Sequence, residues 1–94
     1  MFSQIPVDFN KVEKNELDNV ILRAAIMGEM DAINLYEQMA ALTDNEDIRK
    51  VMLDIAKEEK AHVGEFQTLL LRLDREQVKA LEQGKKEVQE LTGK

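Results

Sequence analysis

From Lys11 to Gln83 the chain contains no proline, and only Gly28 and Gly64 interrupt it as weak helix formers. In a helix interior proline costs about 3 kcal/mol and glycine about 1 kcal/mol relative to alanine. So long a stretch with almost none of either points to long helices. No segment shows the apolar–polar alternation of a half-buried strand. The spacing predicts a first helix over about 14–42, with Asn15 as its cap and Glu16 and Asp18 well placed in its first turn. A second is predicted over about 45–73, opened by a capping box of Thr43 and Glu46. A third, shorter one is predicted over about 75–91, capped by Asp74 with Gln77 at the box position and open to a break at Gly84. Residues 1–13 read as an irregular arm around Pro6, with Phe2, Ile5, Val7 and Phe9 as apolar anchors. With no linker or low-complexity segment, residues 1–94 read as one all-α domain.

Two helices of about thirty residues joined by so short a turn form an antiparallel hairpin. Helix one carries one apolar row through Leu17, Val20, Ile21, Ala24, Gly28, Leu35, Met39 and Leu42. A second row runs through Leu22, Ala25, Ile26, Ala32, Ile33, Tyr36 and Ala40. A hairpin covers one stripe per helix, so the excess predicts a partner. Two identical hairpins make a four-helix bundle. The alternative, helix three folding back over the second stripe, is disfavoured by its short length and by Lys79, Lys85 and Lys86.

Composition narrows the chemistry. A chain of 94 residues buries only about 60–65% of the surface that its unfolded form exposes, and chains this small are usually stapled by a disulfide, a metal or a second subunit. With no Cys, disulfides, zinc fingers and thiolate nucleophiles are excluded. One His excludes a zinc site with two or three histidines from a single chain. A net charge of −6 argues against a nucleic-acid partner and suits metal cations. The first residues lack the pattern of a secretory signal, and no apolar run of about 18 residues suggests a membrane partner.

Glu29 interrupts an apolar row, with Leu22, Ala25, Ile26, Ala32, Ile33 and Tyr36 as its helical neighbours. Burying it unpaired costs several kcal/mol, so it needs a proton, a cation or a way out to water. On helix two, Glu59 and His62 are three residues apart, share a face, and interrupt the row of Ile48, Met52, Ile55, Phe66, Leu69 and Leu73. Taking the turn centre near 44.5, Glu29 lies about 15.5 residues before it, and Glu59 and His62 about 14.5 and 17.5 after it. Equal distance from the turn is equal height in an antiparallel pair. The three therefore meet, as half of a di-iron carboxylate site that a two-fold axis would complete. Carboxylate-rich sites with one imidazole per metal suit iron better than structural zinc. Tyr36, two turns from Glu29, either serves that site or is an ordinary core tyrosine with its hydroxyl satisfied. Asp31 faces away from Glu29 by roughly 200°, as a candidate metal-entrance residue or plain solvated charge. Glu58 and Glu65 read as solvated charge.

The runs GEMDAINLYEQMA and IAKEEKAHVGEFQTLLLRLD and the ending EVQELTG resemble the encapsulated ferritins, of the ferritin-like superfamily, over roughly residues 16–93. The distinctive pattern is Glu29, Tyr36 seven residues on, and Glu59-x-x-His62 starting thirty residues after Glu29. The resemblance implies a half-ferritin that dimerises into a ferritin-like four-helix bundle, with two iron ions per dimer interface. It implies Glu29, Glu59 and His62 as iron ligands, Tyr36 beside the centre, and assembly into a higher ring, commonly a decamer. It implies a cytoplasmic ferroxidase that works inside an encapsulin shell, which stores the product. Leu35 stands where some members have Trp, Gly28 where some have Glu, and Asp31 where they have a second entrance Glu. The family's apolar targeting tail has no counterpart before Lys94. The expectation is either a shortened chain or the N-terminal part of a fusion to a shell domain.

The leading expectation is thus an Fe(II):oxygen oxidoreductase with Glu29, Glu59, His62 and Tyr36 at its centre. A rubrerythrin-like peroxide reductase uses a similar bundle, but normally draws electrons from a Cys-bound iron centre, which this chain cannot build. A non-catalytic helical assembly module would also explain the excess apolar surface.

Overall fold

The computed structural model describes residues 7–94; Phe2, Ile5 and Pro6, read above as parts of the arm, lie outside the described residues. The described residues form three α-helices: α1 (Leu17–Leu42), α2 (Glu46–Leu73) and α3 (Arg75–Thr92). Short 3-10 turns at Phe9–Lys11 and Lys14–Glu16 precede α1, and no strand occurs among the described residues. The all-α expectation holds.

The helix ends differ from expectation in instructive ways. Asn15 does not cap α1. It lies inside the 3-10 turn, and Glu16 takes the cap position without a side-chain cap bond. Thr43 does not open α2 through a capping box. It closes α1, its N–H donating to the Met39 carbonyl, while Asn45 caps α2 by accepting from the N–H groups of Asp47 (3.0 Å) and Ile48 (3.1 Å). Arg49 explains the choice. Its guanidinium donates to the carbonyls of Ala40 (3.1 Å) and Thr43 (2.6 Å), the last acceptors of α1, and pairs with Glu46. Glu46 is thereby drawn forward to Arg49 instead of back toward Thr43.

Asp74 caps α3 as expected, accepting from the Gln77 N–H at 3.0 Å. α3 runs unbroken through Gly84 and ends at Gly93, whose positive φ of 73° favours glycine.

α1 and α2 pack as an antiparallel hairpin, with Ala24, Ala32, Ile33 and Ala40 of α1 and Ala56 and Leu70 of α2 as its buried apolar residues. α3 does not fold back over them. The radius of gyration is 16.7 Å, against about 12 Å for a compact domain of this length. The extents of 46 × 43 × 20 Å describe a hairpin with a helix leaving sideways. Asp74 at the joint is held by Arg23 of α1, 3.6 Å away. Apolar surface stays uncovered, though not as the second row read from the sequence: Ala32, Ile33 and Ala40 of that row are buried in the hairpin, whereas Ile21 of the first row, with Met27, Met30, Ile48, Val51, Leu53, Leu69 and Leu73, is exposed. Among the described residues no helix is long and apolar enough to cross a membrane.

Candidate metal centre

The register of the hairpin follows from its turn. Residues 43–45 leave no slack between α1 and α2, and the Arg49 contacts tie the second helix to the end of the first. Midway along the hairpin this register brings Glu29 and the Glu59–His62 pair to one height. Nδ1 of His62 lies 3.4 Å from Oε2 of Glu29 and 3.4 Å from Oε2 of Glu59. The contact to Glu59 is a hydrogen bond, whereas Oε2 of Glu29 is shut off from solvent and has no hydrogen-bond partner. One ligand atom from each of the three residues falls within a set no more than 4.8 Å across.

Each side chain is partly covered. Glu29 and Glu59 are 22% and 19% exposed, and His62 is 46% exposed. The site therefore sits at an open face rather than inside a closed core. Beside it is an open cleft of about 310 Å³ lined by Ala25, Gly28, Glu29, Ala32, Tyr36, Glu59 and Phe66. Its lining on α1 includes the small residues Ala25, Gly28 and Ala32. Tyr36 and Phe66, each seven residues beyond one of the two glutamates, line it on α1 and α2. Phe66 was legible only as part of an apolar row; its i+7 relation to Glu59 is the signal that places it at the site. Asp31 belongs neither to the three-residue cluster nor to the lining of the cleft, and Glu58 and Glu65 are exposed. Lys60 is occupied by Glu37 at 3.3 Å, so no lysine neutralises the cluster through that contact.

These residues fit a divalent metal ion. A buried carboxylate oxygen without a donor is a destabilised group, and a cation supplies what it lacks. Two carboxylates and an imidazole are hard to borderline donors suited to iron, manganese or zinc. Three residues leave coordination positions open on any of these ions, and the exposed side of His62 leaves room for further ligands from outside the chain.

The profile of one family, described as Rubrerythrin, matches residues 20–92, which include all three clustered residues. The chain belongs to the rubrerythrin family. Among solved structures, this rubrerythrin-family chain is similar to the encapsulated ferritin domain from Pyrococcus furiosus, with a TM-score of 0.85 and 53% identity over 100% of this chain and 98% of that one. The resemblance to encapsulated ferritins carried by the Glu29–Tyr36 and Glu59–His62 motifs thus extends across the fold. A ferritin-like-encapsulin shell fusion protein of the same organism is 64% identical over 73 residues, 78% of this chain and 21% of its own length. The encapsulin nanocompartment cargo protein EncC of Myxococcus xanthus is 43% identical over 56 residues, 60% of this chain and 43% of its own length. The chain thus spans less than half the length of these two curated relatives.

Proposed function

We propose that two copies of this chain join at the open face of the cluster and oxidise Fe(II) there. Each copy supplies Glu29, Glu59 and His62, so a two-fold axis gives four carboxylates and two imidazoles for two iron ions. The observation that carries this reading is the buried, donor-less Oε2 of Glu29 beside Glu59 and His62. The exposed apolar residues of the hairpin support the pairing of copies, and membership of the rubrerythrin family supports an iron-related role.

Fe(II) is the substrate. Each of the two ions gives up one electron, and dioxygen from the medium takes both, with two protons from solvent, to leave as hydrogen peroxide. Glu29, Glu59 and His62 would hold the ions close together, and the negative charge of the two glutamates favours the ferric product over the ferrous substrate. Tyr36 and Phe66 limit water at the cleft, and Tyr36 offers a hydroxyl beside the ligands. Asp31 stands as a candidate entrance residue, half exposed on α1.

The names of the two relatives support a setting as well as a chemistry. In this reading the chain is the cargo of an encapsulin shell, or a domain fused to one. It assembles as a ring, a decamer in the resembling family, and the shell stores the ferric product in the cytoplasm.

Stopped-flow measurement of Fe(II) oxidation and oxygen consumption tests the assignment. Changing a partner that only supports a metal ligand commonly costs 10–100-fold, so His62→Ala and Glu29→Ala should each slow oxidation by at least about tenfold. Oxidation at the wild-type rate in both variants contradicts the reading. Faster consumption of added peroxide than of dioxygen would favour peroxide reduction instead.

A further inference from the structure

The joint between α2 and α3 is a single residue. Asp74 closes α2, its N–H donating to the Leu70 carbonyl at 2.8 Å, and opens α3, its carbonyl accepting from the Val78 N–H at 3.4 Å. Its torsions, φ −108° and ψ 89°, leave the helical region that its neighbours on both sides occupy. With helical torsions at that one residue, residues 46–92 would form one helix about 70 Å long. The largest extent is 46 Å, so the joint is bent.

Packing does little to hold that bend. No residue of α3 is buried, and only Gln77, Val78 and Gly84 are half-buried. The bend also separates the last carbonyls of α2 from the first N–H groups of α3, which a straight helix would pair. Other bonds must offset that loss.

The Asp74 carboxylate supplies them with both oxygens. Oδ1 accepts from the Gln77 N–H at 3.0 Å. In a straight helix that N–H would donate to the Leu73 carbonyl, so the cap exists only in the bend. Oδ2 lies 3.6 Å from the Arg23 guanidinium of α1, and the Asp74 side chain is only 18% exposed. Arg23 thus holds the carboxylate in its capping orientation and ties the joint to the hairpin. Hinges are commonly a few residues at the ends of elements that absorb a large change in torsion.

We propose that Asp74 is a two-state hinge, with α3 sideways when its carboxylate both caps α3 and meets Arg23, and α3 in line with α2 when it does not. Arg23 is the latch that biases the hinge toward the bend. The device uses none of Glu29, Glu59 and His62 and is independent of the metal reading.

Double electron–electron resonance between spin labels at K57C and E90C tests it, in a chain with no Cys of its own. Mixing with excess unlabelled chain restricts the signal to distances within one chain. A straight joint sets the two positions about 50 Å apart, and a bent one brings them closer. Asp74→Asn still caps but cannot form the ion pair. It and Arg23→Ala should each shift the bent-to-straight ratio toward straight by about two- to fivefold, the share of a partly exposed ion pair. Asp74→Ala loses both contacts and should shift it further. High salt should reproduce the Arg23→Ala shift in the wild-type chain, which keeps the test decisive if a variant fails to fold by circular dichroism. Glu37→Gln breaks the other pair between α1 and α2, Lys60–Glu37, and should leave the ratio unchanged. An unchanged short distance in Asp74→Ala and Arg23→Ala overturns the proposal, as does an equal shift in Glu37→Gln. A shift in Asp74→Ala with none in Asp74→Asn, Arg23→Ala or high salt would leave the bend to the cap alone and overturn Arg23 as the latch.

Discussion

Glu29 and His62 stand on different helices, yet Oε2 of one lies 3.4 Å from Nδ1 of the other. They are 33 positions apart in sequence, with one tight turn between them. That turn turns a separation in sequence into a contact at mid-hairpin, and the contact leaves a buried carboxylate oxygen without a donor.

The first prediction concerns stability without metal. A buried acceptor with no partner costs about 1–3 kcal/mol, and Glu29 is still partly exposed, so the low end applies. Glu29→Met keeps the length of the side chain and removes the oxygen. In metal-free protein the substitution should raise Tm by roughly 4–8 °C, as about 1 kcal/mol does in a domain of this size. The same variant should gain nothing from added Fe(II). Thermal melts with and without the ion check both, and a lower metal-free Tm contradicts the account.

Arg49 is expected to fix the register of the hairpin. It donates to two terminal carbonyls of α1 and pairs with the first residue of α2. Arg49→Ala should cost about 1–3 kcal/mol, since charge-assisted bonds to backbone acceptors are lost. Arg49→Lys should recover little, because an ammonium cannot span both carbonyls as a guanidinium does. Denaturant melts of the two variants measure this directly. A lysine variant as stable as the native chain would refute the bracing role.

The cap of α2 gives a comparison between neighbours. Asn45→Ala removes an acceptor for two N–H groups and should cost about 1 kcal/mol. Thr43→Ala removes only the acceptor for the Asn45 N–H, and should cost less. The opposite order in chemical denaturation would restore the capping box that the Thr43–Glu46 spacing suggests.

Much of this architecture is legible in the sequence because its causes are local. The absence of proline, the periodic apolar rows and the Asp74 cap are read within a few residues. Height along an antiparallel pair is then counting, which is why Glu29, Glu59 and His62 could be brought together before any coordinates. The turn is not legible in the sequence, because Thr43, Asp44 and Asn45 all suit an N-cap. What selects Asn45 is Arg49, which holds Thr43 at the end of α1 from six residues away. The direction of α3 was not legible either. It is associated with Arg23 and Asp74, 51 residues apart, and no local pattern announces a pair at that separation.

The central claim is that one chain holds half of a two-iron site. Native mass spectrometry of the full chain, titrated with Fe(II) without oxygen, tests it most directly. The account predicts a species of two chains carrying two iron ions, formed as iron is added, and its loss in Glu29→Ala and in His62→Ala. Iron bound to single chains with no pairing, or assembled chains that take up none at saturating Fe(II), would contradict it.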